Sequence, residues 1–236
     1  MRQMLWAVMI LLAAPALAGG RPVVVELFTS QGCGECPPAQ ALLEDLSARE
    51  DVLALTWAVD YWDFMGWRDT FAAPGHAARQ RAYNDRFGEP GLYTPEIVID
   101  GRREVVGSQR DAVLAALADA VAAERPDFRI DMSEEGEFCI ASLAASRIHR
   151  PLQLLAIWYK SRDRVTVTGG RNAGRALGYR NVVKAARVIG VWDGEEMHVR
   201  FPLSPPESND ADHLAILLEE GNGGPVHGVA VMALHS

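Results

Sequence analysis

Apolar residues follow two different patterns along the chain, and the pattern changes near Pro126. Residues 22–28 and 51–60 are nearly continuous apolar, β-favouring runs, which is typical of strands buried on both faces of a parallel sheet. Helices are predicted over residues 37–46, 74–87 and 111–124. The second of these is polar, and we expect its solvent-facing side to carry Arg79, Gln80, Arg81 and Asn84. The first strand, helix and second strand therefore predict a parallel crossover unit.

A short hairpin is predicted before the last of these helices. Residues 96–99 and 104–107 are β-favouring, and Asp100-Gly101 between them is a turn signal. The order up to Pro126 is thus strand, helix, strand, helix, two strands and helix.

Beyond Pro126 the chain reads as short strands separated by Gly, Pro, Asn and Asp. These strands are predicted over residues 128–132, 137–143, 152–159, 182–191, 197–201, 214–218 and 226–234. Many short strands with little helix favour a β-sandwich. We therefore expect an α/β domain over residues 19–125, followed by a smaller β-rich, β-sandwich-like domain over residues 126–236.

Residues 1–18 have the pattern of a secretory signal peptide. A basic start precedes a short apolar run, and Ala16-Leu17-Ala18 supplies the small residues of a cleavage site. The run is too short for a comfortable membrane span, although an uncleaved anchor is the alternative. We expect a secreted or periplasmic protein with no stable membrane insertion after cleavage.

Composition excludes some classes of partner. The chain has 236 residues and a formal net charge of −8, with no block of five like charges. This balance argues against nucleic acid or an anionic membrane as the main partner.

The candidate reactive residues are Cys33 and Cys36, which form a Cys-x-x-Cys pair between the first strand and the first helix. Unpaired N–H groups and the helix dipole stabilise a thiolate at such a position. The pair closes a very short loop, so as a structural crosslink it would constrain little of the unfolded chain. We expect Cys33 to be the exposed attacking thiol and Cys36 the resolving thiol. Glu35 between them either opposes the dipole or points into water.

Metal binding is the competing explanation for the pair. Structural zinc needs two further ligands at suitable spacing, and the six histidines are scattered. Two thiolates could bind Cu(I), but no Met-rich or His-rich arm supports this. We therefore expect no metal site and no bound cofactor. Cys139, the third cysteine, is expected to be a buried apolar residue of a strand.

These residues together resemble the thioredoxin fold: a strand, a Cys-x-x-Cys opening a helix, a later Thr94-Pro95 before a strand, a hairpin and a closing helix. The longer segments 25–38, 59–67, 79–83 and 93–95, continued by residues 172–175 and 181–183, resemble an uncharacterised family of bacterial secreted thioredoxin-like proteins. The resemblance implies a fold and a compartment, but no established activity or substrate.

The resemblance also implies roles for individual residues. Thr94-Pro95 is expected to be a cis peptide facing the cysteines, with Tyr93 and Thr94 presenting backbone to a substrate chain. Glu26 is expected beneath the pair as a general base, although a salt-bridged or solvent-facing Glu26 is the alternative.

Two loops have open interpretations. The aromatic loop, residues 61–67, either offers Trp62 and its neighbours to a client chain or packs between the two domains; packing is favoured because soluble proteins rarely leave large apolar patches uncovered. The Gly-rich basic loop over residues 168–175 lacks the Gly-Lys-Ser/Thr ending of a phosphate-binding loop, so a β-hairpin loop is the simpler account.

Three functions follow from the sequence. The first is an extracytoplasmic thiol–disulfide oxidoreductase that exchanges disulfides with protein or small-molecule thiols and has an envelope redox partner. The second is a redox-inactive binding module for a client protein, a lipid or Cu(I). The third is an interaction protein whose β-rich part does the work.

Overall fold

The computed structural model describes residues 20–205 and 210–234; the predicted signal peptide, residues 1–18, lies outside them. The first half contains β1 (Val23–Thr29), α1 (Pro37–Leu46), β2 (Val52–Ala58), α2 (Pro74–Phe87), β3 (Glu96–Ile99), β4 (Arg103–Val106) and α3 (Arg110–Ala122). A short 3₁₀ turn, Asp63–Met65, lies between β2 and α2. The predicted order of strands and helices is confirmed.

Beyond Pro126, the regular elements of the described residues are strands and one 3₁₀ turn. These are β5 (Asp131–Glu135), β6 (Phe138–Leu143), β7 (Leu152–Thr166), the turn Gly170–Asn172, β8 (Ala176–Trp192), β9 (Met197–Pro202), β10 (His213–Glu219) and β11 (Val226–Ala233). Strands β7 and β8 form one long antiparallel hairpin and extend well beyond the predicted segments.

The fold is a mixed α/β arrangement with a large mixed sheet and a small antiparallel sheet. The large sheet has eight strands in the order β11-β10-β7-β8-β2-β1-β3-β4, and the small sheet has the order β5-β6-β9. Strand β1 is parallel to β2 and antiparallel to β3. The predicted crossover unit and the predicted hairpin of β3 and β4 are both present.

Helices cover both faces of the part of the large sheet that is formed by β2, β1, β3 and β4. On one face, Leu42 and Leu43 of α1 pack with Val113 and Leu117 of α3. On the other face, Tyr83 of α2 packs in a second core cluster. The strands are buried on both faces for this reason, which accounts for their continuous apolar sequence.

The small sheet packs against the β7, β10 and β11 end of the large sheet. Their shared core includes Trp158, Trp192 and Phe201 together with Cys139. Cys139 is free and buried, and its Sγ lies 4.0 Å from Met232 Sδ, as expected for an apolar packing residue. Burial raises the pKa of its thiol to about 11. In the β-rich part, the small antiparallel sheet thus packs on strands that continue the large mixed sheet of the first half.

The predicted boundary at Pro126 coincides with the change from helices to strands, and the division into two domains stays a prediction. The sheet crosses that boundary through the parallel pairing of β2 with β8, at Thr56 and Val182. A single core cluster contains Trp57 from the first part and Ile157 and Leu217 from the second. The two parts therefore share buried apolar surface.

Across residues 20–205 and 210–234, the structure has no helix that is both long enough and apolar enough to cross a membrane.

Candidate functional site

The cysteine pair forms a disulfide in the loop between β1 and α1, with the Cα atoms of Cys33 and Cys36 5.4 Å apart. Cys36 immediately precedes the first residue of α1, and Pro37 occupies that first position. Proline is tolerated there because the N–H it lacks would have no partner inside the helix. The predicted Cys pair at a helix N-terminus is confirmed.

Both cysteines are buried, so the expectation that Cys33 is exposed is wrong. Cys33 is 1% exposed and Cys36 is 0% exposed. Glu35 between them is exposed, in agreement with the alternative that it points into water. The sequence of the loop gave no sign of the burial, because the covering residues come from a distant segment.

The cover is the β7–β8 loop, residues 167–175. Asn172, which is 1% exposed, donates from Nδ2 to the carbonyls of Gln31 and Cys33, at 2.9 Å in both cases. Arg171 packs beside Gly34, which lies between the two cysteines: a Cβ added to Gly34 would lie 3.4 Å from Arg171 Cδ. The loop does join two antiparallel strands, as predicted, but it also covers the disulfide.

A second wall of the site comes from Trp62 and the loop that leads into β3. Trp62 donates from Nε1 to Thr94 Oγ1 at 2.8 Å, and the guanidinium carbon of Arg171 lies 5.6 Å from the centre of a Trp62 ring. The Thr94–Pro95 peptide is cis, as the resemblance implies. The Thr94 carbonyl oxygen lies 3.8 Å from Cys33 Sγ. Trp62, Thr94 and Cys33 therefore form one constellation.

Tyr93 is next to this constellation, but its polar groups have other partners. Its carbonyl accepts a hydrogen bond of 2.7 Å from Gln80 Nε2, and its hydroxyl donates to Glu104. Its proposed part in substrate binding stays a prediction.

The aromatic loop is mostly packed against its surroundings. Trp67 donates from Nε1 to Gln31 Oε1 at 2.8 Å, and Asp63 accepts from the backbone N–H of Asp69 at 3.0 Å. Phe64 is the one aromatic residue of this loop whose side chain is largely exposed to solvent, at 81%. Packing therefore describes most of the loop, and Phe64 is its exposed apolar side chain.

Glu26 is salt-bridged, which is the alternative that the sequence left open. Arg79 donates from Nε to Glu26 Oε1 at 2.7 Å, and Tyr83 donates its hydroxyl to the same carboxylate. Arg79 also pairs with Glu219 of β10 at 2.8 Å. Burial alone would lower the pKa of Arg79, but Glu219 and Glu26 outweigh it and hold that pKa well above the ordinary value. Both oxygens of Glu26 are engaged in this network, so it is not placed as a free base.

The polar side of α2 faces the core, although its sequence suggested a solvent-facing surface. Arg79, Gln80 and Asn84 are between 0% and 4% exposed. Gln80 donates from Nε2 to Glu96 Oε2 at 2.6 Å. Periodicity finds which residues share a helix face, but it cannot show that a polar face meets buried partners.

Glu96 is a buried carboxyl group that sequence reasoning missed. It directly follows Pro95 and is 0% exposed, and its Oε1 has no partner among the described residues. Burial raises the pKa of Glu96 to about 7, with a smaller upward contribution from Glu104. A carboxyl group close to the cis peptide therefore titrates near neutral pH.

Metal ligands are not grouped in the part of the chain that the structure describes. No set of three or more His, Cys, Asp or Glu side chains there is arranged to hold an ion.

We expect Asn172→Ala to speed the reduction of the disulfide by dithiothreitol. The substitution removes both hydrogen bonds that hold the β7–β8 loop to the pair, so the open form becomes more populated. At about 1 kcal/mol per bond, the two bonds amount to about 2 kcal/mol, so the rate should rise about 30-fold. Stopped-flow or quenched thiol assays measure it, with the exposed Arg164→Ala on the same hairpin as the control. Equal rates for Asn172→Ala and the wild type would show that the loop does not limit access.

We expect Glu96→Gln to stabilise the protein at alkaline pH. The unfolded carboxyl ionises near its ordinary pKa of 4.5, whereas the folded one keeps its proton until about pH 7. The unfolded state therefore binds fewer protons in this window, and stability falls as the pH rises through it. Glutamine stays neutral, so its gain at pH 8 should be on the order of 1 to 3 kcal/mol and nearly absent at pH 4.

Urea denaturation at both pH values measures this difference, with the exposed Glu137→Gln as a control for general charge effects. A gain that is the same at pH 4 and pH 8, or a loss at pH 8, would contradict the account of Glu96.

Solved structures are similar in fold to most of this chain. The crystal structure of protein AGR_C_4864 from Agrobacterium tumefaciens is 27% identical in sequence, with a TM-score of 0.76 over 90% of this chain and 94% of that one. HBP35 of Porphyromonas gingivalis is 15% identical, with a TM-score of 0.57 over 92% of this chain and 76% of that one, a likeness of fold alone. No curated protein matches the chain.

A family model described as "Protein of unknown function (DUF1223)" matches residues 24–219. That range contains the disulfide, the cis peptide and the covering loop. The chain therefore belongs to the DUF1223 family of proteins of unknown function.

Proposed function

We propose that the protein is an extracytoplasmic thiol–disulfide oxidoreductase that works through Cys33 and Cys36. The observation that carries this proposal is the disulfide at the N-terminus of α1, with the Thr94 carbonyl 3.8 Å from Cys33 Sγ. A helix N-terminus stabilises a thiolate, which is both the attacking and the leaving group in disulfide exchange. The extracytoplasmic location rests on the sequence pattern of residues 1–18.

The proposal includes a thioredoxin-like domain. In its support, the first half has the strand order β2-β1-β3-β4, with α1 and α3 on one face and α2 on the other. The cysteine pair follows β1 and the cis Thr94–Pro95 peptide precedes β3, and these two strands are neighbours in the sheet.

The exchange reaction needs only the two cysteines and a client. In the reduced pair, the Cys33 thiolate attacks a client disulfide, forms a mixed disulfide and releases one client thiolate. The Cys36 thiolate then attacks Cys33 Sγ and releases the second client thiolate, which takes up a proton. Two electrons pass from the pair to the client, and the reverse sequence oxidises a client dithiol.

The burial of the sulfurs adds a step to this reaction. An attacking thiolate must reach a sulfur along the S–S axis, and Cys33 is 1% exposed. The β7–β8 loop therefore has to move before exchange, carrying Arg171 and Asn172 away from the pair. Once this loop has moved, the Thr94 backbone beside Cys33 becomes available to a client chain, and Phe64 is already exposed to such a chain.

The same burial favours a second candidate, a binding module whose disulfide rarely exchanges. In that case the pair fixes the loop between β1 and α1, and the working surface lies elsewhere. Reduced Cys33 and Cys36 could also serve as two thiolate ligands for Cu(I).

We expect Cys33→Ser to abolish both the reduction of insulin and the oxidation of a reduced model peptide, because Cys36 alone has no neighbouring thiol with which to close the disulfide and complete the two-electron exchange. Cys139→Ser should retain most of the activity, since Cys139 lies in the core between the two sheets. Turnover assays of the two variants and the wild type measure this.

Wild-type turnover no higher than that of Cys33→Ser would remove the enzymatic proposal. Cu(I) uptake by the reduced wild type, lost in Cys33→Ser, would then support the binding module.

A further inference from the structure

One side chain of α2 holds both ends of the Thr94 turn, which is formed by residues 93–96. Gln80 donates from Nε2 to the Tyr93 carbonyl at 2.7 Å and from the same nitrogen to Glu96 Oε2 at 2.6 Å. Gln80 is 0% exposed, so solvent does not compete for these bonds. Thr94, whose carbonyl lies 3.8 Å from a sulfur of the disulfide, is thus placed between two held residues.

The surroundings of Glu96 suit a protonated carboxyl group better than a carboxylate. Its Oε2 accepts from Gln80, but its Oε1 has no partner among the described residues, and a buried carboxylate needs donors at both oxygens. Strand β1 places the apolar Phe28 opposite it. The groups that act on it most strongly from the neighbouring elements are neutral or acidic: Gln80 and Asn84 of α2, Glu89 after α2, Glu104 of β4, Tyr61 and Tyr93. Burial, with a smaller contribution from Glu104, raises the pKa of Glu96 to about 7, so the group loses its proton in the physiological range.

Loss of that proton changes the balance between the two bonds from Gln80. Both N–H groups belong to one nitrogen, and a hydrogen bond to a carboxylate is about twice as strong as one to a neutral acceptor. Ionised Glu96 therefore draws the Gln80 amide towards itself and away from the Tyr93 carbonyl. The Thr94 turn is then held less firmly at its first residue.

A looser Thr94 turn affects the groups that cover the disulfide. Thr94 Oγ1 accepts from Trp62 Nε1 at 2.8 Å, and the guanidinium carbon of Arg171 lies 5.6 Å from the centre of a Trp62 ring. Tyr61, next to Trp62 in the chain, donates its hydroxyl to Gln80 Oε1 at 3.2 Å. Gln80 is therefore connected to the β7–β8 loop through both the Thr94 turn and the aromatic loop.

We propose that Gln80 and Glu96 are positioning residues for the Thr94 carbonyl, and that the proton on Glu96 keeps the turn and the cover closed over Cys33. As this proton leaves, the disulfide becomes more accessible. The inference rests on the proposed function for its consequence, because it describes the regulation of access to the proposed redox pair.

Titration of the oxidised, ¹⁵N-labelled protein between about pH 5.5 and 8.5 tests this inference, since neither cysteine titrates in that state. Triple-resonance spectra assign the Gln80 side-chain amide and the Trp62 indole N–H. With a midpoint near pH 7, the Gln80 proton that faces Glu96 should move downfield and the one that faces Tyr93 should move upfield. The Trp62 signal should shift with the same midpoint. These shifts should be absent in Glu96→Gln and unchanged in the control Glu137→Gln, which removes an exposed carboxylate.

Access to the disulfide is measured in the same proteins by the rate of reduction with dithiothreitol. The ratio of the wild-type rate to the Glu96→Gln rate cancels the ionisation of the reagent. We expect this ratio to rise from about 1 at pH 5.5 to about 5 at pH 8.5, the equivalent of one hydrogen bond.

Absence of a titration at the Gln80 amide, its persistence in Glu96→Gln, or a ratio of rates that does not change with pH would each overturn the inference. Neither measurement depends on turnover of a client. A wild type that shows these shifts and rates but does not reduce insulin would therefore support the positioning role and contradict the proposed function alone.

Discussion

Strand β8 joins the open edge of β2, and most of the unusual features of this molecule depend on that contact. Thr56 donates its hydroxyl to the carbonyl of Arg180 at 2.6 Å, and Asn181 donates from Nδ2 to the carbonyl of Ala54 at 2.7 Å. These side chains supplement a parallel pairing at Thr56 and Val182. Because β8 is fixed there, the loop that precedes it is held over the Cys33–Cys36 disulfide. Residues 184–188 of β8 line a cavity beside the start of α2. One contact thus links the cover, the cavity and the shared core.

Buried charges bind the same two parts of the chain together. Arg79 lies between Glu26 and Glu219, which are carried by β1 and β10. Arg21 forms a buried salt bridge of 2.7 Å with Asp100 and donates to the carbonyl of Val226 at 2.6 Å. A buried carboxylate is costly unless it is paired and hydrogen-bonded, so each network is satisfied only when the second half of the chain is folded against the first. Both networks therefore depend on one relative placement of the two parts.

The sequence predicted the local features well because short-range physics determines them. The β1–α1–β2 unit follows from apolar runs that flank a helix, and the hairpin of β3 and β4 follows from Asp100 and Gly101, which adopt positive φ angles in the turn. The cis Thr94–Pro95 peptide came from the resemblance alone, because an X–Pro bond by itself does not reveal its isomer.

The features that were missed depend on contacts between distant residues. Glu26 could be read as a base or as a salt-bridged residue until its partner, 53 positions away, was placed; Glu219 lies 140 positions from the same arginine. Cys33 was expected to be exposed, and Asn172, 139 positions away, covers it. The positions of Glu219 and Asn172 cannot be inferred from spacing or periodicity, since they depend on how β8 and β10 extend the sheet.

The reduction potential of the Cys33–Cys36 pair, measured in glutathione buffers on the intact folded chain, tests the central claim most directly. An exchanging pair should equilibrate reversibly without unfolding, at a potential within about −120 to −270 mV, the range of known exchange catalysts. A potential below about −300 mV, or reduction that occurs only after the protein unfolds, would identify a structural disulfide and contradict the account.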